Sequence, residues 1–428
     1  MKFILEPDYT EFESLAKRPE LELSQLENSV RDIFNEVKSS GDLALKNYAL
    51  KFDQAEISNL QVTNEELDEA EQFISNELKA AIETAYANIY KFHAAQQTAI
   101  EKIETMPGVT CWRKSVGIEK VGIYIPGGTA PLFSTVLMLA IPAQIAGCKE
   151  ITLCSPPNKQ GKIHPAILYT AKRCGITKIA KCGGAQAIAA LTFGTESINK
   201  VYKIFGPGNQ YVTMAKTLAT RFGVAIDMPA GPSEVLVYAD ESCRPEFVAA
   251  DLLSQAEHGN DSQVILIAKN EEIAKQIITE TQQQLGELSR MQFASNALQN
   301  SKAIVIASQE KAIDFINLYA PEHLILACEQ AKIIADKIIN SGSVFIGNYT
   351  PESAGDYASG TNHTLPTNGY AKNYSGVSLD SFVKKITFQE ITPDGLKNIG
   401  EAIETMAEAE QLTAHKNAVT IRLNSLKS

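Results

Sequence analysis

The stretch VGIYIPGGTAPLFSTVLMLAIPAQIAGCKEITLC, residues 121–154, predicts the fold of this chain. An apolar run at 121–125 has the length of a buried strand, and it ends in the turn residues PGG at 126–128. A segment with helical character follows at 133–146, and a second apolar run occupies 151–154. A strand, a helix and a strand joined in this way place two parallel strands in one sheet.

The alternation of apolar runs and helical segments continues along most of the chain. A first series ends at the segment AIDMPAGPSE, residues 225–234, and a second series follows it. Strands are predicted at 121–125, 151–154, 176–180, 201–205, 235–239, 263–268, 303–307, 324–328 and 343–346. The fold class we expect is therefore α/β, with two doubly wound parallel-sheet (Rossmann-like) units and helical N- and C-terminal extensions.

The length of 428 residues predicts two or three domains, at roughly 100–200 residues for each. Ser24 with Glu27, and Thr63 with Glu66, fit capping boxes that begin helices ahead of the first strand series. We expect these first helices to pack on the unit formed by the second series. The predicted parts are an N-terminal extension at 1–22, a discontinuous α/β domain at 23–120 plus 235–377, a second α/β domain at 121–234, and a C-terminal helical segment at 378–428.

The composition narrows the class of protein. A net charge of −11 disfavours a nucleic-acid or anionic-membrane partner. There is no run of about 18 apolar residues, the length that predicts a membrane-spanning helix, and the start MKFILEPDYT lacks the pattern of a secretory signal. The seven cysteines are odd in number, scattered and without a CxxC pair, which is typical of a reduced intracellular protein. We therefore expect a cytoplasmic protein.

Glycine-rich turns follow strands of the first series, with IPGG at 125–128, GGAQ at 183–186 and GPGN at 206–209. Ligands of open parallel sheets bind beyond the carboxyl ends of the strands, and helix N-termini attract phosphate. One interpretation is therefore a dinucleotide site. The alternative is purely structural, because β–α turns use glycine in any case and no GxGxxG occurs.

Histidine occurs only six times, so each one merits inspection. Gln255 and His258 lie three residues apart on a predicted helix and would share one face. They could offer an oxygen and a nitrogen to a metal, or they could simply form a polar helix end, since two ligands do not make a site. Asp356 and His363 lie in the long polar segment 343–367, which is either a functional loop or an ordinary surface loop.

Three further features have both a chemical and a structural interpretation. Glu322 and His323 directly precede a predicted strand, where they could act as general base and acid or form a solvated pair at a helix end. Glu410 and His415 are five residues apart on a predicted helix, a spacing that does not place them on one face. Cys154 could attack an aldehyde, but a small buried apolar residue is the favoured interpretation.

Long stretches of the sequence resemble the histidinol dehydrogenases, and they occur in that family's order. The resemblance covers nearly the whole chain, and the first 20 or so residues match least. The matching stretches are VGIYIPGGTAPLFSTVLMLAIPA (121–143), GGAQAIAALTFGTES (183–197), KIFGPGN (203–209), IDMPAGPSEVL (226–236), DLLSQAEHG (251–259), APEHL (320–324), PESAGDYASGTNHTLPT (351–367) and LTAHKNAV (412–419).

This resemblance implies an enzyme that oxidises L-histidinol to L-histidine through L-histidinaldehyde, with two NAD and one zinc ion per subunit. It implies that Glu322 and His323 are the acid–base pair. The residues that match the family's zinc ligands are Gln255, His258, Asp356 and His415. Those that match its substrate contacts are Ser233, Gln255, His258, His323, Asp356, Glu410 and His415. Those that match its NAD contacts are Tyr124, Gln186 and Asn209.

The resemblance also implies a homodimer with shared active sites, in which the C-terminal segment reaches into the partner. His415 would then complete the zinc site of the other subunit. Two rival functions stay open: a dehydrogenase for another amino alcohol or small polyol, and a metal- or nucleotide-binding protein that does no chemistry. A panel of substrates separates the first rival from the predicted enzyme, and turnover separates the second.

Overall fold

The computed structural model describes residues 1–18, 23–127, 131–229 and 231–427, without the side chains of residues 23–25. The predicted cap at Ser24, the last residue of the IPGG turn and Ala230 therefore lie outside the described residues. Within these ranges the chain forms two parallel sheets and one antiparallel sheet. The two parallel sheets position most of the candidate site residues.

Fourteen strands are present in the described part of the chain. They are β1 (Lys2–Leu5), β2 (Lys102–Met106), β3 (Val109–Gly117), β4 (Lys120–Tyr124), β5 (Glu150–Ser155), β6 (Lys178–Lys181), β7 (Lys203–Phe205), β8 (Ala225–Ile226), β9 (Glu234–Ala239), β10 (Gln263–Ala268), β11 (Lys302–Val305), β12 (His323–Ala327), β13 (Ser343–Ile346) and β14 (Val383–Ile391).

The α-helices of the same ranges cover the faces of the sheets and form the two ends of the chain. They are α1 (Phe12–Leu15), α2 (Leu23–Tyr48), α3 (Asn64–Ala70), α4 (Asn76–Ala94), α5 (Phe133–Ile145), α6 (Pro165–Arg173), α7 (Gly184–Phe193), α8 (Gln210–Thr220), α9 (Pro245–Ala256), α10 (Glu271–Leu285), α11 (Met291–Gln299), α12 (Gln309–Tyr319), α13 (Ala331–Ala335), α14 (Glu352–Tyr357), α15 (Pro393–Ala409) and α16 (Thr413–Ser425).

The larger parallel sheet has six strands in the order β1-β11-β10-β9-β12-β13. Its central strands β9 and β10 read EVLVYA and QVILIA, and all twelve of these residues are buried. Continuous apolar runs of this kind are expected where helices cover both faces of a parallel sheet. His323 pairs with Val235 on one side and with Ser343 on the other, so the amino ends of β12, β9 and β13 lie side by side.

The smaller parallel sheet has five strands in the order β6-β5-β4-β7-β8. Its central strand β4 is flanked by β5 and β7, and all of these pairings are parallel. The predicted α/β fold class with two parallel sheets is therefore confirmed. The nine predicted strands lie within two residues of their observed bounds.

The third sheet is a feature that the sequence analysis did not predict. The expected C-terminal helical segment begins with a nine-residue strand, β14, which pairs antiparallel with β3 over its whole length. β3 also pairs with β2. Most residues of β14 are exposed, so the strand lacks the apolar run by which the parallel strands were recognised.

The packing of the N-terminal helices differs from the expectation. We expected them on the second α/β unit, and this is wrong, because α2 packs on α7 and α8, α3 packs on α6, and α4 packs on α5. Val30 and Phe34 of α2, for example, share a buried core with Ile188 of α7. An amphipathic pattern shows that one face of a helix is buried, but it does not show against which element. The four domain ranges given above stay a prediction.

Among the described residues, none of the helices is both long and apolar enough to cross a lipid bilayer. The seven cysteines are all free thiols.

Candidate active site

Glu322 and His323 lie at the amino edge of the six-stranded sheet, where β12 begins. Both side chains are buried, and both bind the backbone of Glu234 at the start of the neighbouring strand. The backbone N–H of Glu234 donates to Oε2 of Glu322 at 2.9 Å. Nδ1 of His323 lies 3.2 Å from the backbone oxygen of Glu234. A backbone oxygen only accepts, so Nδ1 carries the proton and Nε2 is left as a free acceptor.

Two further carboxylates surround His323. Its Nδ1 lies 3.7 Å from Glu352, and its Nε2 lies 3.8 Å from Asp356, both on the short helix α14. One ligand atom from each of the three side chains falls within 4.8 Å of the others, which is compact enough to hold a metal ion. Nε2 of His323 and Oδ1 of Asp356 are buried and have no hydrogen-bond partner within the described structure. Buried polar atoms are normally paired, so these two atoms indicate a place for a ligand.

Burial governs the electrostatics of this group. It lowers the pKa of His323 to about 4, because the charged imidazolium is desolvated, although the nearby Asp356 opposes the change. Burial raises the pKa of Glu322 well above its ordinary range. It also raises the pKa of Glu352 well above its ordinary range, with the charge of Asp356 acting in the same direction. The site therefore contains a neutral imidazole beside carboxyl groups that bind protons tightly.

Gln255 and His258 approach this group from the end of α9. Gln255 is buried, and its amide is oriented so that the nitrogen donates to the carboxylate of Glu352. The amide oxygen then points away from Glu352. His258 lies two residues beyond the end of α9 and is exposed. Asp356 is the one predicted zinc ligand that belongs to the three-residue group.

Ser233 lies one residue before Glu234, whose backbone binds Glu322 and His323, whereas Glu410 and His415 are on the C-terminal arm, residues 378–428. Ser233 directly precedes β9 and is half-buried, and its backbone oxygen accepts from Gln263 at 3.1 Å. Glu410 caps the end of α15 and His415 belongs to α16, so the single helix predicted for these two residues is instead two helices. Both side chains are exposed. α16 packs on α15, and His415 is not part of the three-residue group.

Tyr124, Gln186 and Asn209, the three residues predicted to contact NAD, line one cavity of about 1120 Å³. The cavity lies beyond the carboxyl ends of the five-stranded sheet, as expected for a ligand of an open parallel sheet. The hydroxyl of Tyr124 accepts from the backbone N–H of Gly184 at 3.1 Å. Asn209 is exposed, and its side-chain oxygen caps α8 by accepting from the backbone of Tyr211 at 3.1 Å.

The GPGN turn of this cavity requires glycine for a specific steric reason. Gly206 has a φ of 133°, and a Cβ at this position would collide with the backbone oxygen of Tyr124. The turn is also held by a buried ion pair between Lys216 and Asp227. Lys216 donates to the backbone oxygen of Gly206 at 2.9 Å, and the carboxylate of Asp227 accepts from the backbone N–H of Gly206 at 2.9 Å. The conformation of the turn is therefore fixed from both sides.

The three-residue group of His323, Glu352 and Asp356 is connected to the cavity through α5, the helix that follows β4. Nε2 of His363 lies 3.0 Å from the hydroxyl of Thr135, and Nδ1 of His363 lies 2.9 Å from the backbone oxygen of Asp356. The side chain of Asn362 donates to the backbone oxygen of Met138 at 2.6 Å. The segment after α14 therefore packs against the unit that contains the cavity.

Glu352 is a site residue that the sequence analysis did not single out. It lies four residues before Asp356, and this spacing places two carboxylates on the same face of a helix. The glycines and serines of the segment 343–367 predict a loop and obscure this helix of six residues. Two acidic residues at helical spacing were the signal that could have identified it.

Cys154 is not equipped to act as a nucleophile. It is fully buried at the end of β5, and burial raises the pKa of its thiol to about 12. The thiolate is the reactive form, so the favoured interpretation as a buried apolar residue agrees with the structure.

Comparison with known proteins identifies the family. The family model described as histidinol dehydrogenase matches residues 16–423. The chain belongs to the histidinol dehydrogenase family. It is 60% identical, over the full length of both chains, to the histidinol dehydrogenase of Bacteroides thetaiotaomicron. It is 52% identical to the chloroplastic histidinol dehydrogenase of Arabidopsis thaliana, over 98% of this chain and 90% of that one.

A solved structure extends the match to three dimensions. The crystal structure of histidinol dehydrogenase from Elizabethkingia anophelis matches with a TM-score of 0.98 and 60% identity, over 100% of this chain and 99% of that chain. Membership of the histidinol dehydrogenase family makes the chain an oxidoreductase and connects it to histidine biosynthesis.

Proposed function

We propose that the chain oxidises L-histidinol to L-histidine in two successive steps, each of which passes a hydride to NAD, in the cytosol and with one zinc ion per subunit. One observation carries the proposal. Glu322 and His323 are buried side by side, both are fixed by the backbone of Glu234, and unpaired ligand atoms lie next to them. A binding protein would not require such an acid–base pair.

The residues at the site fit a zinc ion. The buried Oδ1 of Asp356 has no hydrogen-bond partner in the described structure and is an oxygen donor that zinc accepts, and the imidazole of His258 would add a nitrogen donor. The proposed ligands are Gln255, His258, Asp356 and, from the partner subunit, His415. Zinc, when bound, would supply a template that orients the imidazole and amine of the substrate.

His323 is the proposed base of both oxidations. It is neutral at physiological pH because burial lowers its pKa to about 4, and its Nε2 is free because Nδ1 is held by Glu234. In the first step Nε2 removes the proton of the alcohol as the hydride leaves to NAD. In the second step it removes a proton from the hydrated aldehyde as the second hydride leaves.

Glu322 is the proposed base that activates water between the two oxidations. Burial raises its pKa, so its carboxylate accepts a proton more readily than an ordinary glutamate does. It takes one proton of a water molecule as the oxygen of that water adds to the aldehyde carbon. His323, protonated in the first step, returns its proton to the aldehyde oxygen, which completes the gem-diol and restores the neutral imidazole for the second oxidation. Ser233 and, from the partner subunit, Glu410 are proposed as substrate contacts.

The large cavity is the proposed NAD site. Its volume of about 1120 Å³ exceeds what a small amino alcohol needs, and Tyr124, Gln186 and Asn209 all face it. The contacts of Asn362 and His363 with α5 bring this unit against the catalytic group.

The C-terminal arm, residues 378–428, is proposed to exchange between the subunits of a homodimer. Met406, Leu412 and Ile421 are large apolar residues that are exposed on the arm, and a partner subunit would bury them. The exposed positions of Glu410 and His415 agree with a role in the partner's site.

Mixed dimers test the shared site. His415→Ala and His258→Ala chains should each be inactive alone, and a mixed dimer should recover activity because one of its two sites is intact. The zinc content of the same mixtures gives a second readout, which should rise with the activity. Complete inactivity of every mixed dimer, with normal assembly, would contradict the shared site.

Separate supply of the intermediate tests the two-step reaction. L-Histidinaldehyde with NAD should give L-histidine without any alcohol being added. Conversion of L-histidinol that stops at the aldehyde would contradict the proposal.

A further inference from the structure

Glu234 connects the two proposed catalytic residues to the N-terminal segment of the chain. Its backbone N–H holds Glu322 and its backbone oxygen holds His323, at 2.9 and 3.2 Å. Any shift of this residue along β9 therefore moves both partners at once. The question is what fixes Glu234 itself.

The side chain of Glu234 is buried and is held mainly by Arg18. Nε of Arg18 donates to Oε1 at 2.5 Å and Nη2 donates to Oε2 at 2.8 Å, which is a bidentate pair. The backbone N–H of Asn368 donates to Oε1 at 2.8 Å. Bidentate pairs of arginine and carboxylate fix direction as well as distance.

Arg18 is itself immobilised by α12. Its Nη2 donates to the backbone oxygen of Tyr319 at 2.7 Å, and its guanidinium lies 3.9 Å from the centre of the Tyr319 ring. The side chain of Arg18 is 14% exposed and that of Glu234 is 2% exposed, so the pair is shielded from water. Shielded and multiply bonded, the pair can act as a rigid support.

We propose that Arg18 is a positioning residue for the acid–base pair, acting through Glu234. The inference rests on the proposed function, because it assigns a role towards Glu322 and His323. The side chain of Arg18 fixes the carboxylate of Glu234, and the backbone of Glu234 in turn fixes the two reacting side chains. The segment that resembles the family least thus contributes to the active site.

Four variants separate positioning from stability. Arg18→Met alone leaves a buried carboxylate without its cation and is expected to lower stability. Glu234→Gln removes the charge but keeps the shape. Arg18→Met with Glu234→Gln removes both charges together, so the folded state should regain stability. Arg18→Lys keeps the charge but loses the two-point contact.

A matched control comes from a similar ion pair that joins α3 to β6 of the five-stranded sheet. Lys181 and Glu66 lie 2.6 Å apart with side chains that are 9% and 19% exposed. Lys181→Met should lower stability in the same way as Arg18→Met while leaving kcat unchanged.

We expect the double variant to fold, to keep its zinc and to bind NAD with an unchanged Kd, but to lose about tenfold in kcat for L-histidinol, since small displacements of reacting groups are costly. Arg18→Lys should lose less in kcat than the double variant does. A stable double variant with the kcat of the parent chain would overturn the inference. If the parent chain itself oxidised no L-histidinol, the proposed function would fail first, so the two failures are distinguishable.

Discussion

Asp53, at the edge of the large cavity, provides a quantitative test of the structure. It ends a short π-helical turn, Ala49–Asp53, and it lines the cavity together with Tyr124. Its Oδ2 is buried and has no hydrogen-bond partner in the described structure. Burial therefore raises the pKa of this carboxyl from 3.8 to about 6. Deprotonation of this carboxyl therefore costs more free energy in the folded chain than in the unfolded chain.

The magnitude follows from the pKa. The folded state binds the proton more tightly, so the stability that the neutral form contributes is complete below pH 3.8 and is lost as the pH rises through 6. At roughly 1.36 kcal/mol for each pKa unit, the full shift would correspond to about 3 kcal/mol, and solvent screening of this half-buried carboxyl reduces the loss to about 2 kcal/mol above pH 7. Asp53→Asn keeps the shape and removes the charge. Its free energy of unfolding should therefore exceed that of the parent chain by up to about 2 kcal/mol at pH 8, and by well under 1 kcal/mol at pH 4.

Denaturation by urea at pH 4 and pH 8, followed by circular dichroism, measures the difference. The midpoint of Asp53→Asn should move further above that of the parent chain at the higher pH. Asp32→Asn is the control, because Asp32 lines the same cavity but is exposed. Its stability should stay within about 0.5 kcal/mol of the parent chain. A gain in the free energy of unfolding of Asp53→Asn that is equal at both pH values would contradict the raised pKa of Asp53. A residue retained at such a cost is expected where a ligand binds.

Three substitutions test the chemical roles. Glu322→Gln should slow oxidation of L-histidinaldehyde more than oxidation of L-histidinol, because only the aldehyde step requires activated water; equal losses in the two rates would remove Glu322 from that role. His323→Asn should lower both rates by at least about a hundredfold, as loss of a general base does, and single-turnover measurements that left one step intact would contradict this. Cys154→Ala should keep full activity in a steady-state assay, because the thiol is buried and protonated; a folded but inactive variant would restore a thiohemiacetal mechanism.

The parallel sheets were predictable because their strands are continuous apolar runs that can be recognised from the local sequence. QVILIA and EVLVYA are too apolar to lie anywhere but in a core, and glycine turns follow three strands of the five-stranded sheet. β14 gave no such signal. Its residues, VKKITFQEI, are mostly exposed, and the strand exists because β3, far away in the sequence, pairs with it. Pairing between distant segments is not encoded in either segment alone.

The site was predictable only in part, for a similar reason. His323 could be recognised as chemically capable, but its neutral state depends on burial that the sequence does not show. Its tautomer depends on the backbone of Glu234, which carries no side-chain signal at all. The single helix predicted to contain Glu410 and His415 is wrong, because Gln411 adopts a positive φ and separates two helices.

The yield of NADH from purified, zinc-loaded protein given L-histidinol and excess NAD tests the proposed function most directly. We expect two NADH and one L-histidine for each L-histidinol consumed, with activity lost on chelation and restored by zinc. A folded, zinc-bound protein that forms no NADH from L-histidinol would contradict the central claim.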